Sequence, residues 1–242
     1  MRLIVTCLVA VFLTACSNKV DHWGIDMHKK MQTYGPEAKK QLEPYFAEAH
    51  LHYPPKKIAL LAFKDTNELQ LWGTDDDTWH YIKTYPILAA SGHLGPKLSS
   101  GDYQVPEGVY HIKGFNPDSR FTLSMQINYP NEFDKEQAEK EGRTNLGDDI
   151  FIHGKSSSTG CLAIGDEPIE ELFVLARLVG QNNVDVIISP KDLQDNRVAL
   201  DEKSPSWLGV LYQKIGEALK PFQRKAASES IRAEKQGVEH IA

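Results

Sequence analysis

The amino-acid sequence predicts a β-rich α+β fold with helices at both ends, and three observations carry that prediction. Over residues 57–189 the apolar side chains fall in runs of strand length, separated by turn residues. A single amphipathic helix is marked inside that block, directly after Asp166 and Glu167. Outside the block the chain is polar, with apolar residues at helical spacing before residue 57 and after residue 190.

Residues 17–56 read as a polar tether and then a helix with Met27, Met31, Leu42, Phe46 and Ala49 as scattered apolar points, broken at Gly35-Pro36 and closed by Pro54-Pro55. This stretch is expected to be a lead-in outside the core. Strands are expected at 58–63, 69–72, 79–88, 109–112, 121–127, 150–153 and 184–188. Asp65-Thr66-Asn67-Glu68 and Asp75-Asp76-Asp77 sit at turns. The three aspartates read as a solvated hairpin tip, because no histidine stands at a convincing ligand spacing. In the internal helix, Asp166 or Glu167 is the expected N-cap and Pro168 suits the first helical position. Ile169, Leu172, Phe173 and Ala176 then share a face until Gly180 ends the run. This helix is expected to pack on the sheet and hold the loop that precedes it. Trp207, Val210, Leu211, Ile215 and Leu219 form a last helical stripe, and residues 224–242, rich in charge, are expected to be loose.

Arg2 precedes an apolar stretch from Leu3 to Leu13, a pattern of secretory leader rather than membrane-span length. Residues 1–15 are therefore expected to be removed. Leu13-Thr14-Ala15-Cys16 resembles the lipobox of bacterial lipoproteins, which implies a mature chain starting at a lipidated Cys16. Several acyl chains give stable membrane anchoring where one is marginal. Ser17 after the cysteine implies the outer membrane of a Gram-negative cell, facing the periplasm. The formal charge is −6, and −7 once Arg2 is removed, with no basic patch for nucleic acid. The expected organisation is thus a signal peptide at 1–15, a lipidated tether and helical lead-in at 16–56, a catalytic domain at 57–189, and a helical, polar extension at 190–242.

Cys7 falls in the leader and Cys16 at its processing site, which leaves Cys161 as the one thiol of an exported chain. An odd cysteine in an oxidising compartment points to a reactive thiol or an intermolecular bridge. Its surroundings favour reactivity. The run from Ile150 to Gly165 ends an apolar strand in His153-Gly154 and places Cys161 eight residues after the histidine. A thiol is mostly protonated near neutral pH, and an imidazole in reach supplies the proton acceptor that makes it a nucleophile. Ser156, Ser157 and Ser158 more plausibly shape the turn. His50, His52, His80 and His111 read as ordinary histidines, while His93 precedes Gly95 in a loop and is a candidate to line the cleft.

His153-Gly154 followed by Ser158-Thr159-Gly160-Cys161-Leu162 resembles the signature of the L,D-transpeptidase catalytic domain, also called the YkuD-type domain. Gly95-Pro96-Lys97, Gly101-Asp102, Val105-Pro106-Glu107-Gly108-Val109-Tyr110 and Asn128-Tyr129-Pro130-Asn131 match upstream segments of the same family. The resemblance implies a β-sandwich or open barrel of the L,D-transpeptidase type, and a thioester acyl-enzyme formed at the L-centre of diaminopimelate in a peptidoglycan stem peptide. It further implies that Cys161 is the nucleophile, that His153 donates and accepts its proton, and that the Gly154 main-chain carbonyl orients His153. Main-chain amides of Thr159, Gly160 and Cys161 are expected to hold the oxyanion. Lys155 and Arg143 are candidates for holding stem-peptide carboxylates. No metal or organic cofactor is implied.

Two departures bear on the reaction. Many relatives carry a histidine where this chain has Thr159, and an arginine where it has Ala163. The compact form looks like a Gram-negative, YafK-like subgroup that includes amidases releasing a peptidoglycan-linked lipoprotein. Three readings therefore stay open: an acyltransferase acting on stem peptides, a hydrolase or amidase of the same fold, and a noncatalytic lipoprotein that binds the wall.

Overall fold

The computed structural model describes residues 22–193, 200 and 204–223. The expected leader, Cys16, and residues 224–242, expected to be loose, lie outside the described residues. In chain order the elements are α1 (His22–Glu48), β1 (Lys57–Phe63), β2 (Glu68–Thr74), β3 (His80–Pro86), β4 (Ala89–Ala90), β5 (Gly108–Ser119) and β6 (Thr122–Ile127). There follow α2 (Glu132–Lys140), β7 (Phe151–His153), β8 (Leu162–Ala163), α3 (Asp166–Val179), β9 (Val184–Ser189) and α4 (Leu208–Leu219). The nine strands form one sheet in the order β3-β2-β1-β9-β5-β6-β7-β8-β4. The β-rich α+β class is realised as a curled half-barrel with helices packed on it.

The curl follows from β5. Its first residues pair with β9 and the rest with β6, and the register with β6 shifts between Ile112 and Gly114 and again between Asn116 and Ser119. Such irregularities bend a strand and raise its twist, so one long strand serves both halves of the sheet. In the middle, β1 lies antiparallel to β2 and parallel to β9. Strand side chains alternate between faces. Accordingly Ile58, Leu60 and Ala62 join the core under α1 and α3, and Ala59, Leu61 and Phe63 join a second cluster under α4. Burial of each large apolar side chain contributes about 1.5–3 kcal/mol.

Two expectations for the amino-terminal segment do not hold. The helix α1 runs through Pro36 and Pro44 without the break expected at Gly35-Pro36. Nor is it a mere lead-in, since Leu42 and Phe46 are fully buried in the main core. An interior proline costs about 3 kcal/mol by removing a helical hydrogen bond. Tertiary packing of that one face, with Phe46 edge-on to Tyr53, outweighs it.

At the other end, α4 covers the opposite face of the sheet and reaches a buried ion pair. Glu107 Oε1 accepts from Lys64 Nζ at 2.9 Å and from the Gly95 amide at 2.7 Å, while Oε2 accepts from the Tyr212 hydroxyl at 2.9 Å. Burial pushes the Lys64 pKa down, and Glu107 opposes that shift. Such a pair leaves no charge uncompensated and fixes the segment at 91–107 against β1 and α4. Among the described residues no helix is long and apolar enough to cross a membrane.

Candidate active site

The strand β7 ends in His153, and residues 154–161 lead into β8, its parallel neighbour. Parallel strands normally need a connection of about a dozen residues or more. Here a shorter loop suffices because the two strands are only three and two residues long. Leu162 pairs with Ile152 and Ala163 with His153, so Cys161 sits beside Phe151. Residues two apart on a strand share a face. The imidazole and the thiol therefore look out from the same side of the sheet, into a cavity of about 730 Å³ that both line.

His153 is buried, and its Nδ1 lies 2.6 Å from the Gly154 carbonyl. A carbonyl only accepts, so the proton is on Nδ1 and the Nε2 lone pair is free to take one. The ring is backed by Phe121, with centroids 4.4 Å apart, and the Arg120 guanidinium lies 5.0 Å above the far ring. Burial lowers the His153 pKa below the ordinary histidine value, partly offset by the Gly154 hydrogen bond. The glycine is required sterically. A Cβ at Gly154 would stand 2.6 Å from both Asp166 Oδ1 and the Phe121 carbonyl.

In this resting state the Cys161 sulfur is engaged by backbone. It accepts from the Phe151 amide at 3.4 Å and donates to the Asp149 carbonyl at 3.8 Å. Among the described residues no hydrogen bond joins it to His153. Burial pushes the thiol pKa up, Phe151 N–H opposes this, Asp149 adds to it and Lys97 counters it. Both shifts favour the neutral forms, and the thiol is hydrogen-bonded to backbone rather than to the imidazole.

Hydroxyls hold the turn before the cysteine. Ser158 Oγ donates to the Cys161 carbonyl at 2.6 Å and accepts from the Cys161 amide at 3.2 Å. Ser91 Oγ accepts from the Gly160 amide at 2.6 Å and lies 3.1 Å from Ser158 Oγ. Gly160 adopts a φ of 110°, a region other residues rarely enter. This arrangement engages two of the three amides expected to hold the oxyanion, those of Thr159, Gly160 and Cys161. The Gly160 and Cys161 amides are occupied by serine hydroxyls, and of the three only the Thr159 amide has no partner among the described residues.

The remaining sequence candidates are not brought to the cavity. Arg143 is held by the Glu141 carboxylate at 2.7 Å and the Leu98 carbonyl at 2.8 Å, and it lies over Trp207. The His93 backbone is clamped on both sides by Gln104, and Lys155 is exposed in the loop outside the lining. The expected N-cap also differs. Gly165 occupies that position, while Asp166 accepts from Thr122 Oγ1 and from the Lys155 amide, binding the start of α3 to the loop after His153. Side chains that sequence reasoning passed over complete the cleft: Asn116, Asp118, Ser119 and Arg120 on the β5–β6 hairpin, Ser124 on β6, and Asp149 before β7. Among the described residues no group of three metal-binding side chains occurs.

The YkuD family, described as the L,D-transpeptidase catalytic domain, matches residues 60–188. The Escherichia coli K12 protein "Putative L,D-transpeptidase YafK" is 33% identical over 143 residues, covering 57% of this chain and 56% of that protein. The chain thus matches little more than half the length of this curated relative. Among solved structures, the helical cell shape determining protein Pgp2 from Campylobacter jejuni aligns at 22% identity with a TM-score of 0.47, covering 60% of this chain and 50% of that one. Bdellovibrio bacteriovorus Bd1075 aligns at 20% identity with a TM-score of 0.43, covering 70% and 58%.

Proposed function

Because this chain belongs to the L,D-transpeptidase catalytic domain family, we propose that it is a peptidoglycan-modifying cysteine acyltransferase that passes through a thioester at Cys161. The observation that carries the reading is the shared cleft of Cys161 and His153, with Nδ1 of the imidazole fixed on the Gly154 carbonyl and Nε2 left as acceptor.

The thiol turns from Phe151 and Asp149 toward the imidazole and attacks the carbonyl carbon after the L-centre of diaminopimelate in a stem peptide. Its proton passes to His153 Nε2. The carbonyl oxygen takes up the electron pair and is met by the Thr159 amide; Gly160 and Cys161 amides join only where Ser91 and Ser158 release them. As the tetrahedral species collapses, the C–N bond breaks and the imidazolium returns the proton to the leaving amine. Apo sites often show looser contacts than the reacting complex, so the resting position of the sulfur is compatible with this course.

An amine acceptor reversing the second half gives transfer, and water gives hydrolysis. The hydrolase or amidase reading stands second because Ala163 replaces the arginine that many relatives use toward a substrate carboxylate. In our reading the chain is exported and anchored by lipid at Cys16 to a Gram-negative outer membrane, with peptidoglycan stems as substrate and a peptidoglycan-linked lipoprotein as second partner. The test is to incubate the protein and its Cys161→Ala form with defined stem peptides and with lipoprotein-linked muropeptides, then identify products by mass spectrometry. Cross-linked or exchanged products support transfer, and released peptide alone supports hydrolysis. Identical profiles for the two proteins contradict both.

A further inference from the structure

Asp149 has no part in the chemistry above, yet its carboxylate stands in the same cavity as Cys161 and His153. Gln126 Nε2 holds Oδ1 at 2.9 Å, and Oδ2 has no hydrogen-bond partner among the described residues. The Asp149 main-chain carbonyl is also the acceptor for the thiol. Its backbone φ of 56° is one that aspartate and asparagine tolerate better than most residues, so the chain is bent to present this side chain here.

The charge acts against the nucleophile. After burial, Asp149 is the group that pushes the thiol pKa up, while Lys97, which acts the other way, is tied to Asp102 at 2.5 Å and to the Ser99 carbonyl at 2.8 Å. His153 is the third titratable group at the thiol. Asp118, the other carboxylate lining the cavity, neighbours Arg120 on the β5–β6 hairpin and is not among the charges acting on Cys161. A carboxylate beside a cysteine nucleophile disfavours its thiolate in the empty site. The arrangement becomes useful when the substrate brings the counter-charge.

Resting on the acyl-transfer reading, we propose that Asp149 recognises a protonated amine on the acyl-donor side chain, so that the enzyme selects stem peptides whose diaminopimelate amine is free over those in which it is amide-linked. The free ammonium ion-pairs with Oδ2, cancels the field of Asp149 on the thiol, and anchors the side chain whose other end carries the scissile carbonyl. An acylated amine carries no charge and leaves the carboxylate uncompensated.

The experiment compares wild type with Asp149→Asn, which keeps the backbone conformation and a partner for Gln126. The substrates are two synthetic stem tetrapeptides, one with the side-chain amine free and one with it acetylated. Cys161 acylation is followed by intact mass, and iodoacetamide alkylation reads the thiol without substrate. Wild type is expected to acylate with the free amine at about tenfold or higher kcat/KM, the size of one charge-assisted hydrogen bond. The variant is expected to lose that preference and to alkylate faster than wild type. Equal acylation of wild type by both peptides, or an unchanged preference in the variant, overturns this proposal and leaves the acyl-transfer reading intact. If neither peptide acylates Cys161 of wild type, both fall.

Discussion

Where β1, β2 and β9 cross the middle of the molecule, strands of six and seven residues bury nearly every side chain on one face or the other. Where β7, β8 and β4 end the sheet, strands of three, two and two residues do not hold the chain by themselves. There burial of Ile152, Leu162 and Ile164 is joined by side-chain hydrogen bonds: Ser158 and Ser91 on the nucleophile turn, Asp166 on Thr122 and the Lys155 amide, Gln104 on the His93 segment. Apolar burial is non-directional and tolerates repacking, whereas a hydrogen bond fixes particular atoms. The reacting groups sit in the half built from directional contacts, on a support built from burial.

If this division is right, substitutions in the two halves separate activity from stability. The largest loss of activity is expected for His153→Gln, about 10²–10⁴-fold in kcat/KM, with the thermal midpoint little changed. In wild type, the lowered pKa of His153 keeps the imidazole neutral, and so able to accept a proton, to lower pH than an ordinary histidine. The acid limb of kcat/KM is therefore expected below about pH 6.5. Phe173→Ala, in the buried half, is expected to cost about 3–5 kcal/mol by denaturant unfolding, with activity per folded molecule retained. A Phe173 variant that stays stable but loses kcat contradicts the division.

Ser158→Ala sharpens the comparison from the other side. It removes the acceptor for the Cys161 amide and the donor to its carbonyl. The turn that presents Cys161 is no longer held, so a fall of up to about 10²-fold in kcat is expected from misplacement of the sulfur, with KM unchanged. A mainly thermal effect shows that the hydroxyl only stabilises the loop. Smallest is Lys140→Ala, which breaks an exposed i,i+4 pair with Glu136 and is expected to change stability by less than about 1 kcal/mol in unfolding experiments.

Legibility in the sequence follows the same division. The strands at the centre of the sheet read clearly because continuous apolar runs bounded by turn residues have few other meanings. Expected β5 ended at residue 112, since Lys113, Gly114, Asn116 and Pro117 break the alternation, yet the strand continues to Ser119 along β6. The helix α2 is not marked by the sequence pattern although Asn131 and Asp134 form a capping box, because its nine residues carry little apolar stripe. The α1 break at Gly35-Pro36 was a local rule overruled by burial of Leu42 and Phe46. In the site, His153, Gly154 and Cys161 stand within one short run of sequence. Asp149 directly precedes that run without a motif to mark it, whereas Arg120 and Ser91 lie far from it in sequence and are brought near only by sheet register and the packing of loop 91–107.

The central claim is that Cys161 forms a covalent acyl intermediate in the hydrogen-bonded half of the sheet. The most direct measurement is intact-mass analysis of the protein quenched during turnover with a stem tetrapeptide, followed by peptide mapping. The account predicts an added stem acyl group, less its terminal residue, on the peptide containing Cys161, with no adduct in Cys161→Ala. Substrate consumption without that adduct, or an adduct on any other residue, contradicts it.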